Sequence, residues 1–124
     1  MQIKTTRTAG FTLVEIMIVV AIIGLLAAIA IPNFVKAREN AQLNSIINNL
    51  RIIEGAKDQW ALEAKKGTGD TTDLATISDY LKGATVKSVV GETYTTQPVG
   101  TPAEAKTPVK LGTYAVGTTI KSTD

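Results

Sequence analysis

A chain of 124 residues has room for one small domain, and its formal charge of +2 comes from Lys4 and Arg7, which no acid accompanies in residues 1–10. From Phe11 onward 11 basic residues face 11 acidic ones, so no basic excess marks the chain for nucleic acid, and no such partner is expected. Cys and His are both absent, which excludes disulfides, the usual zinc ligands and Ser-His or Cys-His catalysis; neither enzymatic activity nor a cofactor is expected.

The first element is apolar. Residues 16–31 (IMIVVAIIGLLAAIAI) hold no polar side chain. A basic leader before such a run resembles a secretory signal peptide, but the run is too long for an h-region, and no small-x-small cleavage site follows it. Phe11 to Ile31 is long enough to cross a hydrocarbon core of roughly 30 Å as a helix rising about 1.5 Å per residue. The plain alternative is an uncleaved signal anchor with Lys4 and Arg7 kept in the cytoplasm. Glu15 does not suit a plain anchor, because an unpaired carboxylate there costs a few kcal/mol on insertion. A cut between Gly10 and Phe11 would set it four residues from a new α-amino group and in the first helical turn, where the macrodipole favours an acid.

The basic leader, Gly10-Phe11-Thr12-Leu13-Val14-Glu15 and the apolar run to Pro32 resemble the prepilin leader and first helix of type IV pilins and of type II secretion pseudopilins. The likeness covers roughly residues 1–40. It implies a leader of residues 1–10, removed by prepilin peptidase after Gly10, and N-methylation of Phe11. It implies that Glu15 neutralises the amine of the preceding subunit during assembly, and that Gly24 and Pro32 are helix-weakening positions. Gly and Pro weaken helices on their own account. A buried carboxylate that finds its amine at one axial offset only would also set the register between subunits.

Beyond Pro32 the pattern becomes amphipathic. Leu43, Ile46, Ile47, Leu50, Ile53, Trp60, Ala61 and Ala64 share one face at the helical period, and Glu54 and Lys57 interrupt it as its weak point. Lys66-Gly67-Thr68-Gly69 reads as the stop. The expected helix runs from about Thr12 to about Lys65, kinked near Pro32, with residues 11–32 as transmembrane or filament core and 33–66 continuing into the head. Residues 34–42 have too few large apolar side chains for a seam within the domain and are assigned to a subunit interface or periplasmic neck.

Residues 67–124 form the expected head. Asp73 or Thr76 would cap a short helix carrying Leu74, Ile77, Tyr80 and Leu81 and ending at Gly83. Thr85–Val90, Thr93–Thr96 and Lys110–Thr119 are strand candidates, Gly91-Glu92 a hairpin turn, and 97–108, with three prolines, a loop. Trp60, Tyr80, Tyr94 and Tyr114 read as core; a nucleic-acid track of these with Lys82, Lys87, Lys106 and Lys110 is the weaker reading. Asp70, Asp73 and Asp79 are the one local acidic cluster, read as loop and cap rather than metal site. Many pilins close a C-terminal loop with a disulfide, which this chain cannot form. Type II pseudopilins commonly hold calcium there, for which Glu92 and Glu104 are too sparse.

The expectation is therefore an α+β, pilin-like chain: a long N-terminal helix with a small antiparallel sheet of two to four strands packed on its C-terminal half. It would serve as a homo- or hetero-oligomeric filament subunit of a type IV pilus or a type II secretion pseudopilus. Its partners would be the membrane before assembly, prepilin peptidase and inner-membrane assembly machinery. Before assembly it would be a single-pass inner-membrane protein with a periplasmic head. The alternative is a monomeric, signal-anchored periplasmic binding module with an uncleaved leader, and a hydrolase built on Asp70 and Asp73 is the remotest reading.

Overall fold

The computed structural model describes residues 10–124; Lys4, Arg7 and the rest of the expected leader before Gly10 lie outside the described residues. The chain divides into two compact units, the residues up to Val35 and residues 36–124. One helix, α1, runs Leu13–Glu63 and contributes to both.

In the first unit α1 is helical without interruption through Gly24 and Pro32. The apolar side chains face outward on every side: Phe11, Leu25, Leu26, Ile29 and Phe34 are all more than 60% exposed. Its most apolar 18-residue window has a mean hydropathy of 2.9 and no buried residue, so it is long and apolar enough to cross a membrane. A helix that is apolar all round has no single face to bury in its own chain, so it needs lipid or neighbours of its own kind.

The second unit begins at Lys36. Here Ile46, Leu50, Ile53, Ala56 and Ala61 of α1 are buried, with Leu43, Ile47 and Trp60 half-buried beside them. Ala64, placed on this face by its spacing, lies past the end of α1 and is exposed. The stop also differs from expectation. The Lys66 N–H donates to Ala61 O (2.8 Å), and Lys65 takes the left-handed conformation at φ 55°, the arrangement of a Schellman cap. Gly67, the sequence's obvious stop, is two residues too late. A non-glycine residue in this conformation carries strain of about 1 kcal/mol, so Lys65→Gly is expected to stabilise the head by up to about that amount in denaturant melts.

The sheet has three short antiparallel strands, β1 Thr93–Thr95, β2 Glu104–Lys106 and β3 Thr119–Lys121, in the order β1-β2-β3. Tyr94 pairs with Ala105, and Ala105 with Ile120. Ala105 and Ile120 pack with Ile46, Leu50 and Ile53 of α1, and Ile77, Leu81, Ala103 and Leu111 complete the core. On β3, the Lys121 N–H donates to Asp124 Oδ2 (2.9 Å), and the Asp124 N–H donates to Lys121 O (3.0 Å).

Only β1 coincides with an expected strand. β2 forms inside 97–108, expected to be loop, and β3 lies at the far end of the Lys110–Thr119 candidate, where the rest holds one isolated bridge, Leu111 to Tyr114. Thr85–Val90 is not a strand, so Gly91-Glu92 closes no hairpin. The buried Glu92 carboxylate explains the loss: it accepts the N–H groups of Val89 (2.7 Å) and Val90 (2.7 Å), and it also accepts from Tyr94 Oη. The two amides taken by the carboxylate, at the end nearest the expected turn, are no longer free for a ladder. The short helix expected after Asp73 is reduced to turns and a 3₁₀ segment, Ser78–Tyr80. The Asp73 cap is present, with Oδ1 accepting from Thr76 N and Oγ1 (both 2.6 Å).

Burial pushes the Glu92 carboxyl up, but the hydrogen bonds from Tyr94, Val90 and Val89 outweigh it and hold the group below its ordinary value of 4.5. A carboxyl lowered in the folded state adds stability above its unfolded value and loses it as pH falls through the folded one. The head is accordingly expected to weaken below about pH 4.5, and Glu92→Gln to flatten that part of the acid dependence of the thermal midpoint.

Candidate functional site

Gly10 and Phe11 precede the helix, and both are exposed, Phe11 by 84%. Thr12 begins α1. Its Oγ1 accepts the Glu15 N–H (3.2 Å), while Glu15 Oε2 accepts the Thr12 N–H (3.2 Å). This is a capping box, in which two backbone donors without helical partners are satisfied reciprocally. The sequence carried its signature, Thr-x-x-Glu before an apolar run, and the reading of Glu15 by charge alone passed over it. The carboxylate is thereby turned back toward the start of the chain, with Oε2 one residue from the Phe11 backbone. Gly24 and Pro32 lie further along α1, outside this cluster; among the described residues no side chain beyond its immediate neighbours lies within 4 Å of a Cβ added at Gly24.

Within the head, the two interruptions of the apolar stripe are both well connected. Lys57 is fully buried, and its ammonium donates to Thr96 O (2.8 Å), Thr101 O (2.6 Å) and, more weakly, Pro98 O (3.4 Å). Glu54 Oε1 stands 3.1 Å from the same nitrogen and accepts the Ala103 N–H. What the sequence presents as the seam's weak point is a clamp from α1 to the loop before β2. Reading charge as an intrusion hid it, because a lysine can lay its methylenes along the stripe and spend its head group on carbonyls distant in sequence.

Residues 34–42 are not wholly neck, since the Gly112 N–H donates to Glu39 Oε2 (3.0 Å) and ties the 111–114 loop to α1. Asp70 accepts the Gly67 N–H (2.7 Å) and Asp73 caps Thr76; among the described residues no three acids converge as metal ligands. Trp60, Tyr80, Tyr94 and Tyr114 all pack against the core, as expected. Lys82 and Lys87 edge a cavity of about 280 Å³, and Lys106 edges another of about 210 Å³.

Residues 5–31 match the prokaryotic N-terminal methylation motif. The type IV major pilin protein PilA of Myxococcus xanthus is 49% identical over 57 residues, 46% of this chain and 26% of that protein. The type II secretion system core protein G of Klebsiella pneumoniae is 40% identical over 57 residues, 46% of this chain and 41% of that protein. A fimbrial protein of Neisseria meningitidis is 38% identical over 86 residues, 68% of this chain and 50% of that protein. The chain thus spans between about a quarter and a half of the length of these relatives. No solved structure matches it significantly.

The exposed Gly-Phe pair, the Thr-Glu capping box and the start of the all-round apolar helix fall within the matched methylation motif. That segment and the matched relatives make the chain similar, over part of its length, to type IV pilins and type II secretion core proteins.

Proposed function

We propose that the chain is a subunit of a type IV pilus-like or type II secretion pseudopilus filament. Prepilin peptidase would remove the leader after Gly10 and leave Phe11 as the N-methylated first residue. Before assembly the apolar helix would hold the subunit in the inner membrane, with the head in the periplasm. Assembly machinery in that membrane would then transfer the helix from lipid to the filament core. There Glu15 would meet the amine of a neighbouring subunit, and Gly24 and Pro32 would let α1 loosen as it packs.

The observation that carries this reading is the exposure of the whole apolar surface of residues 11–35 around a single carboxylate at the helix start. Among the described residues, the capping bond uses one oxygen of the carboxylate and leaves the second for a cation. Relatives named for pili and for type II secretion each match over 57 residues of this chain, so the reading covers both kinds of filament.

Mass spectrometry of the N-terminus of protein taken from membranes tests it. A mature chain beginning at methylated Phe11 is expected. An intact Met1, or a cut near Ile31, would overturn the proposal.

A further inference from the structure

We propose that the loop Thr96–Thr101 is a cation cage whose resident cation is the chain's own Lys57 ammonium, and that deleting this ammonium opens a site for an external small cation. Four oxygens converge on one buried nitrogen: Thr101 O at 2.6 Å, Thr96 O at 2.8 Å, Glu54 Oε1 at 3.1 Å and Pro98 O at 3.4 Å. Three backbone carbonyls and one carboxylate are the donor types that bind hard cations, and they satisfy an ammonium equally well.

The loop is shaped for this arrangement independently of Lys57. The Thr101 N–H donates to Pro98 O (3.0 Å) across a turn whose third residue, Gly100, has φ +86°, as a type II turn requires. A Cβ at Gly100 would stand 2.6 Å from Thr68 Cγ2, so the turn also needs glycine for space. From outside, the Gly69 N–H donates to Val99 O (2.8 Å), the Val99 N–H donates to Asp70 O (2.9 Å), and Thr72 Oγ1 donates to Gln97 O (2.8 Å). Carbonyls 96, 98 and 101 are directed at Lys57 while the backbone between them is held by residues 69–72. The cation joins α1 to the Thr96–Thr101 loop, which is tied in turn to residues 69–72. Because it is covalently part of the chain, the head holds these loops without drawing a metal ion from its surroundings.

The test uses the full chain in detergent micelles, with Trp60, the single tryptophan, as reporter of the core. The wild-type thermal midpoint is expected to be the same in calcium chloride and in EDTA at matched ionic strength. Lys57→Ala should melt lower and recover part of the loss in propylammonium chloride, which replaces the deleted carbons and nitrogen, or in calcium chloride. It should recover none in tetraethylammonium chloride, which is too large for the cage. A wild-type midpoint that falls in EDTA, or a variant that responds to no cation or equally to all three, overturns the proposal. If Lys57→Ala does not fold unaided, refolding it from denaturant into each of the three salts decides by the same pattern, read from the tryptophan signal.

Discussion

Glu15→Ala is expected to abolish fibres while leaving leader removal largely intact. Losing the capping box accounts for only about 1 kcal/mol of helix stability, too little to unfold an apolar helix of this length in a bilayer. The larger effect is electrostatic. Once Glu15 is gone, the amine exposed by cleavage at Phe11 would have to enter the filament core without a counter-charge, and an unpaired buried charge is penalised by several kcal/mol. Glu15→Gln separates the two contributions. Glutamine at this position still accepts the Thr12 N–H in a capping box but brings no charge. It should therefore fail to form fibres as alanine does, although the helix start is preserved. Shearing cells, blotting the released fraction and viewing it by electron microscopy reads this directly. Wild-type quantities of fibre from either variant would remove the pairing of carboxylate and amine from the proposed function.

The second large effect belongs to the head. Lys57→Met keeps most of the side chain's bulk but takes the donor from Thr96 O and Thr101 O and leaves Glu54 without its partner. Breaking one side of an ion pair whose lysine is buried and whose carboxylate stays 27% exposed costs up to about 3 kcal/mol, against a total of about 5–15 kcal/mol for a typical domain. The head has a thin core in which Ala56, Ala103 and Ala105 stand where larger side chains would add burial, so its reserve belongs at the lower end. Urea unfolding followed through Trp60 should show a midpoint well below that of the wild type. Removing both charges in Glu54→Gln/Lys57→Met should be less damaging than the sum of the single substitutions, since the penalty of the stranded carboxylate disappears. A loss below about 1 kcal/mol in Lys57→Met would mean that the loop closes without the ammonium.

The apolar helix of the N-terminal segment could be read from sequence, because its signals are local: uniform hydrophobicity and a helix start beside one acid. The amphipathic half was equally plain where Ile46, Leu50 and Ile53 repeat at the helical period. The head resisted for identifiable reasons. Its strands have three residues each, too short for an alternating pattern to stand out, and the middle strand is Glu-Ala-Lys, with no β-branched residue. Thr85–Val90 has strong β propensity but loses amides to Glu92, a contact no window-based reading contains. The cap at Lys65 was missed because glycine two residues later is the commoner device. Lys57 was misjudged because its partners lie some forty residues further along the chain, where sequence periodicity carries no information.

The sheet's outer border at β3 has a bearing on crowded fibres. Asp124 already occupies both the amide and the carbonyl of Lys121, and each strand is only three residues long. A strand of another chain brought to this border finds little open main chain on which to extend the sheet, so under the proposed function neighbouring heads would part along β3 instead of fusing there.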